Sequence, residues 1–253
     1  MIPIFFFISL SFAISCTHKN FTFCSKYQTK PSWDYQVHVQ TWAGNFCYSS
    51  CCDLPTSTMA IHTGFTMHGW WPEYYNGYPS CCKNEGYTVD DVTKIIKSDE
   101  DFKQDIAYYW PSLGKCRFFE YEYDKHGTCI TDIYSGKTGP KDYANAAINF
   151  MKKYDFWQVL KASGVKADST SNYEPDYIRK LICEEVGLDE CVYFQCTGRF
   201  LKEMRICTNV TAETKDLPFA INCPEGVIEK NENCNKGIVF EKGSELSIGG
   251  CEY

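Results

Sequence analysis

The chain has 253 residues and a formal net charge of −7. That length allows one domain or two small ones with a sizeable core, and that charge makes a poor non-specific nucleic-acid binder, so any cations that meet a polyanion must be local to a cleft. Sixteen cysteines and 16% aromatic residues leave open either a metal-rich cytosolic protein or an oxidised, disulfide-stapled one.

The first segment favours the second class. "MIPIFFFISLSFAIS" is a short apolar run ending in small residues, the pattern of a secretory signal peptide over residues 1–15. Cleavage is expected after Ala13 or Ser15, leaving residues 16–253 as one mature domain with an even number of cysteines. The run is too short for a membrane span, so no membrane partner is expected. A lipoprotein reading of Cys16 is weakened by Ala13, a poor match for the apolar residue such sites place three positions earlier. Two N-x-[ST] sequons, at Asn20 and Asn209, are candidate glycan sites for a chain in the secretory pathway.

Further along, "WDYQVHVQTW" (33–42) has strand character, and "CYSSCCDLP" (47–55) reads as a loop knotted by cysteines. "IHTGFTM" (61–67) is a short apolar run that delivers His68. The middle is helical: 89–110 carries apolar residues at helical spacing and stops near Pro111. Residues 141–164 read as one or two helices ending at Gly164, and 174–187 open with Pro and end with Gly. Strands resume in "CVYFQC", "EMRICTNV", "FAINC" and "GIVFE". Strands first, helices centrally and strands last predict an α+β fold. No internal repeat or low-complexity linker divides the chain.

Two stretches carry chemistry. In "FTMHGWWPEYYNGYPSCC" (65–82), His68 precedes Gly69, Trp70, Trp71 and Pro72, a stiff aromatic wall on which a flat base could stack, worth about 1–3 kcal/mol per base. In "FFEYEYDKHGTC" (118–129), a helix would set Glu122 and His126 at i and i+4 on one face, with Lys125 adjacent. Bland readings exist for each part. A lone histidine in such a run is more often structural, a Glu-x-x-Lys pair is usually a solvated face, and a Trp pair beside Pro is usually core. A zinc site is disfavoured by the export signal. A cyclic phosphodiesterase with two H-x-[ST] motifs would need a partner for "HGT" (126–128), which "HTG" (62–64) and "HGW" (68–70) do not supply. Taken together, two histidines can serve as general base and general acid, and a lysine can neutralise a phosphoryl oxygen. RNA supplies its own nucleophile, the 2′-OH, so this chemistry needs no metal.

The two segments, F-T-M-H-G-W-W-P and F-F-E-Y-E-Y-D-K-H-G-T-C, resemble the active-site segments of the ribonuclease T2 family, roughly F-T-I-H-G-L-W-P and F-W-x-H-E-W-x-K-H-G-T-C. The likeness extends over residues 33 to 241. It implies the family's central antiparallel sheet with packed helices and endoribonuclease activity on single-stranded RNA through a 2′,3′-cyclic phosphate. The enzyme is expected to be secreted or delivered to a lysosome or vacuole, with no cofactor or metal, and a monomer is expected. By motif position His126 is the general base and His68 the general acid, while Glu122 and Lys125 polarise the phosphate. Trp71 and Glu73 match base-holding positions, with Tyr78 a further candidate and Gln40 a weak one for a second base site. Tyr121 stands where the family usually has a phosphate-binding histidine, so weaker phosphate binding and an altered pH dependence are expected. The resemblance further implies the disulfides Cys47–Cys51, Cys52–Cys116, Cys82–Cys129 and Cys196–Cys207, and a bond from Cys223 to Cys183 or Cys191. Cys16, Cys24, Cys81, Cys234 and Cys251 are left without assigned partners. The rival from another class is a non-catalytic recognition protein on the same fold, suggested by Tyr121 and the acidic charge.

Overall fold

A computed structural model describes residues 16, 18–29, 32–56, 64–83, 88–243 and 246–253. The expected signal peptide and the start of the 61–67 run lie outside the described residues. The structure is an antiparallel sheet in the order β2–β1–β4–β3, with β5 paired to β4. Strand β1 (Tyr35–Trp42) leads into α1 (Ala43–Ser49), and β2 is Phe65–Glu73. The central helices follow: α2 (Val89–Ser98), α3 (Glu100–Tyr109), α4 (Phe118–Lys125), α5 (Gly139–Lys153), α6 (Phe156–Ala162) and α7 (Pro175–Glu185). A 3-10 turn, Gly127–Ile130, continues α4. Strands β3 (Val192–Thr197), β4 (Phe200–Asn209) and β5 (Phe219–Ala220) and helix α8 (Val227–Asn231) complete the chain.

The predicted helical run 89–110 is two helices because Asp99 interrupts it. Its carboxylate accepts from the backbone N–H of Phe102, capping α3 as α2 ends. Asp155 does the same between α5 and α6 by accepting from Gln158 N–H. "GIVFE" does not form a strand of its own. It lies between elements through single bridges, Val239 to Phe200, Ile238 to Tyr173 and Phe240 to Ala167.

One face of the sheet is covered by the central helices. Met67 and Trp70 of β2 are buried there with Phe102, Ile106, Trp110, Phe119 and Tyr143. His38 and Gln40 of β1 belong to the same inner face. His38 Nε2 is 2.9 Å from the carbonyl oxygen of Ala147 on α5, and Gln40 Nε2 is 3.4 Å from His38 Nδ1. Gln40 is therefore corrected as a base-site candidate: the pleat turns it into the core, at 2% exposure. Val37 and Val39 point to the opposite face, where Val227 of α8 covers one end of the sheet. The other end stays open.

The disulfide framework departs from the implied one. Cys82–Cys129 is bonded, but the remaining pairs are Cys16–Cys51, Cys24–Cys81, Cys47–Cys52, Cys116–Cys251, Cys183–Cys191, Cys196–Cys234 and Cys207–Cys223. The expected Cys47–Cys51, Cys52–Cys116, Cys196–Cys207 and Cys183–Cys223 are corrected, as is the Cys191 alternative. The cause is proximity. Chain on both sides of the motifs brings Cys16 to Cys51 and Cys251 to Cys116, and the displaced partners pair with what is near. Cys183 and Cys191, separated by 8 residues, close the turn between α7 and β3.

Candidate active site

The open end of the sheet and the exposed side of α4 enclose a cleft of about 590 Å³. Thr41, Thr66, Glu203 and Arg205 line it from the sheet, and Phe118, Tyr121, Glu122 and Lys125 from α4. His68 stands between the two walls. Its position depends on a break in register: Val39 pairs with Gly69 and Gln40 with Met67, so His68 is an extra residue in β2. Such a bulge re-aims a side chain that the pleat would otherwise fix. The indole N–H of Trp110 donates to the His68 carbonyl at 2.9 Å, anchoring the bulge from beneath.

Helix α4 starts at Arg117, whose φ of 62° turns the chain sharply into it. Glu122 and Lys125 lie on its cleft side, and His126 is its C-cap, its N–H bonded to the Glu122 carbonyl. Glu122 is 1% exposed. Burial pushes its carboxyl upward, against His68, the Trp71 hydrogen bond and Lys125, which favour the charged form. The Trp71 indole donates to Glu122 Oε2 at 2.7 Å, and Glu122 Oε1 is 3.7 Å from His68 Nε2. A side chain at Gly69 would meet the Trp71 nitrogen at 2.0 Å, so only glycine lets the indole cross the strand here.

His126 is 2% exposed and does not line the cleft itself. The Trp71 ring stacks on it at 4.9 Å, and Tyr78 approaches at 5.7 Å. Burial, then the charges of Lys125 and His68, hold its imidazole well below the ordinary histidine value. Its Nδ1 is buried without a hydrogen-bond partner. Glu73, further along β2, is pushed up to about 8 by burial, with Arg205 opposing. Tyr121 lines the cleft. Phe21 stacks on it at 4.5 Å, and the Lys125 ammonium lies 5.6 Å from its ring centre. The sequon residue Asn20 is exposed, whereas Asn209 at the end of β4 bonds its own loop through the Val210 N–H.

Sequence reasoning missed Glu203 and Arg205. Both belong to "EMRICTNV", and the period-2 spacing of two charges in an apolar strand was the available signal. The Phe21 wall was missed too. It comes from residues 18–29, stapled to the body through Cys24–Cys81 and by Asp124, which accepts from Cys24 N–H and Tyr27 O–H. Two groupings of metal-ligating residue types occur among the described residues, His18 with Cys116 and Cys251, and His18 with Cys16 and Asp53. Their sulfurs are all in disulfides, which leaves His18 and Asp53 alone.

The profile of the Ribonuclease T2 family matches residues 33–223. This chain belongs to the ribonuclease T2 family. Ribonuclease DdI of Dictyostelium discoideum is 27% identical over 206 residues, covering 78% of this chain and 81% of its own. The extracellular ribonuclease LE of Solanum lycopersicum is 28% identical over 214 residues, covering 82% and 86%. Among solved structures, RNase NT in complex with 5′-AMP superposes with a TM-score of 0.64 at 26% identity, covering 83% of this chain and 99% of that one. Membership and ribonuclease relatives together make the protein a T2-type endoribonuclease acting on RNA. The ribonuclease T2 fold explains why β2 and α4 meet here: the two motif segments, about 50 residues apart in sequence, form facing walls of one cleft.

Proposed function

We propose that the protein cleaves single-stranded RNA without a metal ion, by transphosphorylation to a 2′,3′-cyclic phosphate that water then opens to a 3′-phosphate. His126 takes the 2′-OH proton, the 2′-oxygen attacks phosphorus, and His68 protonates the departing 5′-oxygen. Lys125 and Glu122 bind the phosphoryl oxygens and stabilise the pentacoordinate transition state. The observation that carries this reading is the convergence of His68, Glu122 and Lys125 on one cleft, with His126 one helical turn beyond Glu122. Trp71, Glu73 and Tyr78 form the base site. Since Trp71 covers His126, an entering nucleotide must draw the indole off the imidazole to expose the base.

The charge pattern sets the pH range. A depressed His126 remains neutral, and so basic, in mildly acidic solution. A raised Glu122 can hold a proton there and donate to a phosphoryl oxygen. The net charge of −7 repels RNA at neutral pH, whereas Lys115, Lys125, Lys202 and Arg205 gather cations at the cleft. We place the optimum on the acidic side, in a monomer exported without residues 1–15, as one domain over 16–253, to the outside or to a lysosome-type compartment.

The test is cleavage of a short single-stranded RNA across pH 4 to 8 with EDTA present, beside His126→Ala. Cyclic phosphate ends from the wild type, unaffected by EDTA and absent from the variant, are the expected result. Loss of wild-type cleavage in EDTA, restored by a divalent metal, would replace the two-histidine mechanism with a metal-assisted one.

A further inference from the structure

Five side chains around the cleft close a ring of contacts. His68 Nδ1 is 2.9 Å from Glu203 Oε1. Glu203 Oε2 accepts from Arg205 Nη2 at 2.7 Å and Nε at 3.0 Å. The Arg205 guanidinium lies 5.2 Å from the Trp71 ring centre, Trp71 donates to Glu122, and Glu122 returns to His68 Nε2. Glu203 itself is 1% exposed. A carboxylate is buried only where partners compensate the lost hydration. Here burial opposes ionisation, yet the His68 hydrogen bond and charge, with Arg205, hold the carboxyl well below the usual carboxylate range.

We propose that Glu203, braced by Arg205, is a positioning residue for His68: it fixes the ring with Nδ1–H toward the sheet and Nε2–H toward the leaving oxygen, and places a carboxylate's charge beside the ring that must donate. The inference rests on the assignment of His68 as general acid. Its logic is geometric. The bulge frees His68 from the pleat, so the backbone alone no longer aims the ring. Glu203 lies across β1 from that bulge, in register with Thr41, and a bond at Nδ1 settles both tautomer and orientation. Without it the ring turns about χ2, and Glu122 competes for either nitrogen. The charged groups facing His68 are Lys202, Glu203 and Arg205 of β4, Glu122 and Lys125 of α4, and His126 at its end. Of these, Glu203 is the one within hydrogen-bond distance.

The experiment compares wild type, Glu203→Gln, Glu203→Asp and the double variant Glu203→Gln/Arg205→Gln, with His68→Ala as reference, on one oligoribonucleotide across pH 4 to 8. In Glu203→Gln the charge is lost but an acceptor remains. Its kcat should fall about tenfold or more with KM within about twofold, and the alkaline limb of kcat should move about one pH unit lower, as expected on removing an adjacent opposite charge. Glu203→Asp should restore the limb more fully than the rate. The double variant leaves no unpaired guanidinium and guards against misfolding; having lost both charges of the pair, it should show the fall in kcat with a smaller limb shift. A wild-type limb and kcat in both Gln-bearing variants, or loss in KM alone, would overturn the proposal. A uniform fall in kcat with the limb unmoved would reduce Glu203 to a packing role and also overturn it. If His68→Ala retains full activity, the general-acid assignment fails instead, which separates the two ideas.

Discussion

His38 and His68 lie on paired strands, and the same side chain meets two different fates. His38 faces the helices, with no exposed surface, bonded to the Ala147 carbonyl and packed at a tilt against the Phe150 ring. Burial lowers it to about 4 despite that bond. His68 is lifted out of the pleat by the bulge, keeps about a quarter of its side-chain surface open and sits among Glu122, Glu203 and Lys125. The difference teaches that residue type does not assign a histidine its chemistry. The face of the sheet does, and one inserted residue is enough to change what that face presents.

Breaking the cleft side of this comparison should give the largest effect. His68→Ala is expected to lower kcat by about 10²–10⁴, the usual contribution of one proton-transfer group, measured on an oligoribonucleotide at the pH optimum. Gly69→Ala comes next. Its methyl would occupy the Trp71 indole position and press Glu122 at 2.5 Å. A fall in kcat/KM of about tenfold to a hundredfold is expected, since overpacking of this kind costs about 1–3 kcal/mol. Full activity in that variant would show that the Trp71–Glu122 bond does not matter. Tyr121→His restores a cation near the phosphate. KM should fall by about threefold at acidic pH, in line with a partly exposed charge pair, and neither KM nor pH profile should stay at wild-type values.

The core side sharpens the contrast by leaving kcat alone. His38→Leu removes the extra bond to the Ala147 carbonyl and takes its partner from the buried Gln40 amide, at a cost of about 1–3 kcal/mol, read by urea unfolding at pH 7.5. Its pH dependence has a defined sign. The folded-state value lies below the unfolded one, so between about 6.5 and 4 the unfolded chain binds a proton that the folded chain refuses. Stability from this site is therefore lost as the pH is lowered through that window, by about 3 kcal/mol in total. The variant should lose stability at neutral pH and show a shallower decline towards pH 4.

Much of this was legible in the sequence. The strand–helix–strand order follows from apolar periodicity and capping residues. The two motif segments stand out by their residues and their family resemblance, and the helix under Glu122 and Lys125 is only a supposition at that level, since its N-cap Arg117 makes no side-chain cap. What was not legible has physical reasons. Strand β1 is buried on both faces, so its alternation does not say which side Gln40 takes. The bulge at His68 arises from pairing with β1, a partner that local pattern cannot register. Glu203 and Arg205 gain meaning only once β4 lies across β1 from the histidine. Disulfide connectivity is set by folded proximity, and spacing alone leaves it open.

The Cys116–Cys251 bond has a consequence for synthesis. It spans 135 residues, so at about 5–20 residues per second the Cys116 thiol waits roughly 7 to 27 seconds for its partner to be made. Cys183 and Cys191, 8 residues apart, can close almost as soon as they emerge. The anchor just ahead of α4 is thus a late event in the life of the nascent chain. Until then the Cys116 thiol is open to exchange with the cysteines already made.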